Sequence, residues 1–443
     1  MTFVPAPFKL SLIAVALGLT LGAPAYGQSL QEAVEQTLQT NPDVLIDASK
    51  RLSTDEAVKG ARGGYLPKVD LLLGTGRERS NNSSTGGTDL TLTRREASLT
   101  LTQMLFDGFG VSSEVDRNQA RVESAAHKLA GTSEQVGLQA IEAYLEVLRQ
   151  RELVELTRAN LGAHDRTLDQ VKIRAESGVG RKADFEQIQA RSGLAKANFT
   201  AAETNLRDAE TNFLRVVGVT PVDLSKPNQP EPGALPKSME EAVQLAFDNN
   251  PVLKSAMADV AAAEAQNRAA KSFMYPRFDL ELGAAENENL DGVVGDNDER
   301  YAMLRMRYNL FKGGSDKARV DETAQLTNEA REIARRTRQQ LEQSTRLSWN
   351  AMVSAGERLP SLKQHADASL ATRDAYTKQF SIGQRTLLDM LDSENEHFTA
   401  SSNYVTGQYV ELFAHYRVLA DMGQLLGVLG VSPRAETMVE ARQ

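Results

Sequence analysis

Few residues in this chain are spaced for chemistry. Asp389 and Asp392 stand three apart, just after Gly383, which puts both carboxylates on one face of a helix. Such a pair attracts cations, or it caps and solvates a helix end. The segment Gly178-Val-Gly180-Arg-Lys-Ala183 fits the G-x-G-x-x-A pattern of dinucleotide sites. That site needs a strand before the glycines, and a long helical pattern precedes them here. Residues 286–299 hold six carboxylates but lack the calcium-loop pattern, so they read as a solvated loop. The five histidines (His127, His164, His365, His397, His415) show no metal spacing and read as scattered, exposed side chains. The absence of cysteine excludes disulfides, thiolate metal sites and a thiol nucleophile. No enzyme activity and no cofactor are therefore expected. With a net charge of −9 and no basic domain, nucleic acid is not an expected partner.

The elements that carry these residues occur twice. Leu30–Pro42 (LQEAVEQTLQTNP) returns as Met239–Pro251 (MEEAVQLAFDNNP), 209 residues later, and Pro67 returns as Pro276 at the same offset. Leu105-Phe106-Asp107-Gly108 returns as Leu310-Phe311-Lys312-Gly313, now 205 residues later. Gly178 and Asp184 return as Gly383 and Asp389. A repeat of this length exceeds any solenoid period and implies one architecture with internal pseudo-symmetry. The expected organisation is a secretory signal over 1–27, a first repeat over 28–217, a Pro-rich linker over 218–237, a second repeat over 238–430 and a tail over 431–443. The apolar run Leu10–Gly22, followed by small residues, is short for a membrane anchor and reads as the signal.

Each repeat reads as helix, β-hairpin, long helix, turn and return helix. The hairpins fall near 68–106 and 277–311, the long helices near 112–177 and 314–380, and the return helices near 181–217 and 384–428. Strands are predicted over 68–79, 94–106, 277–285 and 300–310 from their alternation. Val115, Val122, Leu129 and Val136 recur every seven residues, so the long helices should pack side by side. Pro360 should kink the second of them. Four alternating strands bordered by Tyr65, Phe106, Tyr275, Tyr301, Tyr308 and Phe311 carry the weak signature of a transmembrane β-barrel. Four strands cannot close a barrel, since about eight is the minimum, so several chains must contribute. The competing reading packs soluble hairpins on the helices.

The tandem repeat, the proline before each hairpin, the LF-x-G after it and the glycine turns make the mature chain resemble the TolC family of outer-membrane channels. Residues 380–400 (FSIGQRTLLDMLDSENEHFTA) resemble the subgroup serving type I protein secretion. The resemblance implies a mainly α fold with a small β part. A homotrimer would form a periplasmic α-helical barrel continuous with a 12-stranded β-barrel in outer-membrane lipid. It implies an inner-membrane ABC transporter and a periplasmic adaptor as partners, the adaptor docking at Gly178, Gly180 and Gly383. It places Asp389 and Asp392 at the periplasmic aperture, as rings of like charge that repel by only ~0.4 kcal/mol per pair at ~10 Å in water. It assigns a gating latch to Asp184 and Arg385. A tyrosine often found three residues before the second glycine is Phe380 here. A multidrug efflux duct is the alternative of the same class. A soluble periplasmic coiled-coil scaffold would keep the helices but would need no alternating hairpins.

Overall fold

The computed structural model describes residues 28–438, so the expected signal and the last five residues lie outside it. Each repeat begins with two helices broken at an Asn-Pro pair. In the first repeat these are α1 (Leu30–Thr40) and α2 (Pro42–Arg62). Ser29 and Glu32 form a reciprocal capping box on α1, and the Asn41 side chain accepts from the Asp43 N–H at the start of α2. Proline at the first helical position needs no amide partner, so the break costs little. A 3₁₀ turn over Gly63–Tyr65 then leads into the hairpin β1 (Lys68–Ser80) and β2 (Leu90–Phe106). After it come α3 (Gly110–Glu176) and α4 (Lys182–Val217).

The second repeat carries α5 (Met239–Asn249), α6 (Pro251–Lys271), a 3₁₀ turn over Ser272–Met274, β3 (Arg277–Glu288) and β4 (Asp296–Arg307). It continues with α7 (Ser315–Ser381) and α8 (Leu387–Asp421). A four-residue helix, α9 (Leu425–Val428), follows. The single return helix expected over 384–428 is thus divided. Gly423 sits at φ +67°, and the Gly423 and Gln424 amides bond back to the Ala420 and Leu419 carbonyls. That pattern is a Schellman stop. Strands β2 and β4 each begin four residues earlier than expected, and β4 ends at Arg307 rather than 310. Helix α7 runs through Pro360 without ending. His164 is buried, its Nδ1 2.9 Å from the Asn160 carbonyl, contrary to the expectation of exposed histidines.

The strands form one antiparallel sheet in the order β1-β2-β3-β4, so β1 and β4 are its edges. The helices form a wall below it. Helix α3 packs against α2 and α4 on one side and α6 and α8 on the other, while α7 packs only against the second repeat's α5, α6 and α8 among its main neighbours. Sheet and wall therefore end alike: the first repeat's β1, α2 and α4 form one open flank, and β4 with α7 forms the other. At about 1.5 Å per residue, the 67 residues of α3 and of α7 each span about 100 Å.

The main core lies midway along the wall, where α1, α3, α4, α8 and α9 meet around Tyr144, Phe213, Leu419 and Leu425. The linker is strapped over this core. The Tyr144 hydroxyl lies 2.7 Å from the Ser225 carbonyl, Arg151 donates to the Pro221 carbonyl, and Lys226 pairs with Glu152. Glu134 of α3 accepts from the Leu425 and Leu426 amides at the start of α9, and burial pushes its carboxyl up to about 7.

Candidate functional site

The chain offers two candidate sites, one at the helical turns and one at the sheet. The turns are built twice from one device. After α3, the Gly178 and Val179 amides bond to the Ala175 and Arg174 carbonyls. After α7, the Gly383 and Gln384 amides bond to the Phe380 and Gln379 carbonyls. Gly178 at φ +73° and Gly383 at φ +80° occupy the left-handed position that ends a Schellman motif. Gly180 is needed for another reason. A Cβ there would stand 2.9 Å from the Ala175 backbone nitrogen. A cavity of about 330 Å³ opens beside this turn, lined by Lys172, Ala175, Glu176, Gly180, Lys182 and Phe185. Val171, Ile188, Leu387, Met390 and Leu391, with Phe380 of α7 against them, pack the four helix ends into a small separate core. Arg174 lies over the Phe380 ring, 5.3 Å from its centre, so Phe380 joins the two turns by stacking without a hydroxyl.

The expected site residues at this tip divide by partner. Asp389 closes a capping box with Thr386: its Oδ2 accepts from the Thr386 hydroxyl at 2.8 Å, and its own amide donates to that hydroxyl at 3.2 Å. Asp392 is exposed and accepts from Arg191 of α4 at 3.1 Å, a pair that bridges the repeats. The two aspartates lie on neighbouring turns of α8, but each has its own partner. Asp184 is half-buried in the first turn of α4. Arg385 donates to Gln379 Oε1 at 2.9 Å and lies over the Tyr376 ring at 4.2 Å. Among the described residues Asp184 and Arg385 form no ion pair with each other. Arg191 carried no signal in the sequence, because its partner lies 201 residues away.

The sheet has two distinct faces. Register rows such as Val69–Leu101–Leu282–Ala302 place apolar side chains on one face. Large side chains there are exposed, Leu71 and Leu73 to about two-thirds (67% and 69%), where a water-soluble sheet would bury them. The opposite face is polar. Asp279, wholly buried, accepts from Arg277 at 3.0 Å and from Arg307 at 2.7 Å, and Glu281 pairs with Arg305 and Arg307. This network lies outside the sequence-based expectations. Its signal was present: alternate acids on β3 and alternate arginines on β4 must meet once a hairpin pairs the strands. At the loop end, Arg94 pairs with Glu78 and Asp291, and the Asn82 side chain donates to the Asp291 carbonyl. The two hairpin loops are thus tied together.

Five of the six predicted border aromatics lie where the sheet joins the helices. Tyr65 and Tyr275 precede β1 and β3, Phe106 ends β2, and Tyr308 and Phe311 follow β4. Phe106 meets Phe109 edge-on at 5.5 Å and Phe278 at 6.5 Å. Tyr301 departs from this belt. It stands mid-strand, opposite Gly283, on the polar face with Asp279 and Glu281. A Cβ on Gly283 would overlap the Tyr301 ring, so the tyrosine covers a glycine instead of bordering the sheet.

The comparisons agree with this architecture. A family model described as Outer membrane efflux protein matches residues 33–219 and 242–415. Among curated relatives, the outer membrane protein TolC of Vibrio cholerae is 24% identical over 429 residues, covering 93% of this chain and 94% of that protein. The alkaline protease secretion protein AprF of Pseudomonas aeruginosa is 23% identical over 416 residues, covering 90% and 85%. Among solved structures, the outer-membrane channel OprN superposes with a TM-score of 0.78 at 17% identity, covering 89% of this chain and 90% of that one. With the two-faced sheet and most of both repeats inside the matched segments, the chain belongs to the outer membrane efflux protein family, the outer-membrane export channels that include TolC.

Proposed function

We propose that this chain forms a homotrimeric exit duct for type I protein secretion, working with an inner-membrane ABC transporter and a periplasmic adaptor. The observation that carries the assembly is the pair of matched open flanks. Sheet and helical wall each leave the first repeat's edge and the second repeat's edge without a neighbour. An unpaired edge in lipid is untenable. Four strands from each of three copies would give a 12-stranded barrel, with the apolar face toward lipid and Tyr65, Phe106, Tyr275, Tyr308 and Phe311 at its inner border. The secretion reading is supported by the relative named for alkaline protease secretion and by the character of residues 380–400. The efflux wording of the family description favours the second reading, a small-molecule efflux duct.

In this reading the helical turns form the periplasmic entrance. Adaptor contact falls to the turns at Gly178, Gly180 and Gly383. Asp389 and Asp392 would line the aperture, where threefold symmetry makes two carboxylate rings that favour cations. Asp184 lies in the first turn of α4 and Arg385 in the α7–α8 turn, and within one chain they form no ion pair with each other among the described residues. The latch would therefore join one copy to the next.

Deleting the gene and restoring it from a plasmid tests the function. The expected result is loss of specific proteins from the culture medium, with their retention in cells and unchanged sensitivity to toxic small molecules. Unchanged secretion with raised sensitivity would move the assignment to efflux. Neither change would remove both readings.

A further inference from the structure

The apolar face of the sheet gives way to charge along a line set by the register. Counting from the helix end, the first charged residue on that face is Arg77 on β1, Arg95 on β2, Glu286 on β3 and Arg300 on β4. Arg300 pairs with Ala284, Glu286 with Ala97 and Arg95 with Thr75. The border therefore moves by two residues, one step of the face, at every strand. A line of constant height slants across strands in this way when they tilt to a barrel axis. The helix end of the sheet steps in the same sense: Lys68 pairs with Thr102, yet β2 continues to Phe106. The four border residues thus stand at one level, the loop-side limit of the apolar band.

The two limits of the band are built differently. Tyr65, Tyr275, Tyr308 and Phe311 stand at the helix end. At the loop end, where membrane barrels usually carry a second aromatic girdle, arginine takes its place. No aromatic residue occurs between Tyr65 and Phe106 or between Phe278 and Tyr301. Adjacent members of the line are diagonal neighbours, about 7–8 Å apart. Arg79 stands one step beyond Arg77, and Thr93 lies opposite Arg77 on the same face. The partners also differ from those on the polar face. There Arg94, Arg277, Arg305 and Arg307 each meet a carboxylate. On the apolar face Arg79 meets Asp89, and Arg95 meets Glu288 at 3.1 Å while its side chain stays 67% exposed. Arg77 and Arg300 are exposed and have no ion pair among the described residues. The other acids of this face, Glu288, Asp296 and Asp298, lie on the loop side of the line.

We propose that Arg77, Arg95 and Arg300 form a belt that binds phosphate groups of lipid in the outer leaflet of the membrane. The inference rests on the barrel proposed above and not on what the duct carries. With the helices in the periplasm, the loop end of the sheet faces outward, so the belt meets the outer leaflet. An arginine at the edge of the hydrocarbon layer lays its stem along apolar surface and holds its guanidinium among the headgroups. A guanidinium taken from water there is costly unless an anion meets it. The anion of a lipid headgroup is phosphate, and the planar fork of arginine binds it through two parallel N–H···O bonds. Arg77 and Arg95 are close enough to share one phosphate, with the Thr93 hydroxyl beside them as a further donor. Arg300, two strands away, holds another. The aromatic border at the helix end carries no such charge. The two borders therefore fit leaflets of unequal headgroup charge, and they orient the barrel between them.

Lipid binding to the detergent-purified trimer tests the belt. Native mass spectrometry counts bound molecules as bisphosphorylated lipid A, or lipid A stripped of its phosphates, is titrated in. The wild-type trimer is expected to prefer the phosphorylated form. Arg77→Gln, Arg95→Gln and Arg300→Gln should each weaken its binding by about fivefold, the effect of one basic residue at an anionic membrane surface. The triple variant should show the combined loss. Arg77→Gln and Arg300→Gln break no ion pair of the sheet, so they carry the test if the triple variant fails to assemble. Millimolar inorganic phosphate should leave the lipid in place, because the acyl chains add their own hold on the apolar face. Equal binding of the two lipid A forms, or unchanged binding in the variants, overturns the proposal. Displacement of the lipid by inorganic phosphate makes the belt a free-anion site and overturns its assignment to lipid. An intact trimer indifferent to lipid phosphate removes only the belt, whereas a wild-type chain that forms no trimer in detergent sinks the barrel reading itself.

Discussion

Helices α3 and α7 have the same length and the same place in their repeats, yet they are different kinds of helix. Helix α3 buries Ala140, Ile141, Tyr144, Leu145 and Val147 in one stretch, because it has neighbours on both sides. Helix α7 has a neighbour on one side only and carries charge in the matching stretch: Arg346 stands where α3 has Ile141. The same contrast holds at single positions. Glu134, which caps α9, is matched by the exposed Gln339. Asp389, which closes a capping box with Thr386, is matched by Asp184, whose helix has Arg181 at the cap and no side-chain bond there. Duplication preserved the backbone plan, while position in the wall decided the chemistry of each side chain.

The sharpest test of this contrast is a matched pair of truncations. Ile141→Ala is expected to cost about 2–5 kcal/mol, the usual range for emptying a buried aliphatic site. Arg346→Ala, at a partly exposed site whose ion pair is with Glu342 of its own helix and whose guanidinium also reaches Met239 Sδ, should stay within about 0.5 kcal/mol. Thermal unfolding in detergent measures both. Equal costs would break the distinction between interior and flank.

Next in size is Glu134→Gln, which installs the residue α7 carries at this position. The raised carboxyl makes the folded chain bind more protons than the unfolded chain between pH 4.5 and about 7. Stability should therefore fall as pH rises through that window, by up to about 3 kcal/mol, and level off above it. The Gln variant keeps an acceptor for the α9 amides and loses this slope. An unchanged pH profile of unfolding would remove Glu134 as its source.

Smaller effects are expected at the tips. Asp184→Ala or Arg385→Ser should raise single-channel conductance with the trimer intact, since a water-exposed latch is worth only about 0–1 kcal/mol. Wild-type conductance in both would leave no latch at these positions. The smallest expected change is in selectivity. Asp389→Asn with Asp392→Asn should reduce cation preference and block by multivalent cations in planar bilayers. The amide oxygen introduced by Asp389→Asn can still accept from Thr386, so the helix cap is kept. Retained selectivity would place these aspartates away from the pore.

Much of this plan is local and was legible in the residues. Asn-Pro pairs break the helices at Pro42 and Pro251, glycines at 178 and 383 end the long helices, and period-two alternation marks the strands. Each signal acts within a few residues of itself, through φ restriction, capping or the pleat. A lone glycine in a helical pattern is ambiguous, so Gly423 does not by itself mark the split of the last helix. Packing against Pro251 and Asn250 made it a stop. The place of Tyr301 is non-local for a similar reason: it depends on Gly283 across the hairpin.

The sequence alone thus determined the duplication, the order and lengths of the elements, and the two faces of the sheet. Only the tertiary structure decided which long helix is interior, that Asp392 pairs with Arg191, that Asp184 and Arg385 stay apart within one chain, and that Asp279 and Glu281 are enclosed by arginines. The reason is physical. Turns and helix ends are set by covalent neighbours, whereas burial and ion pairing depend on which distant segment lies alongside.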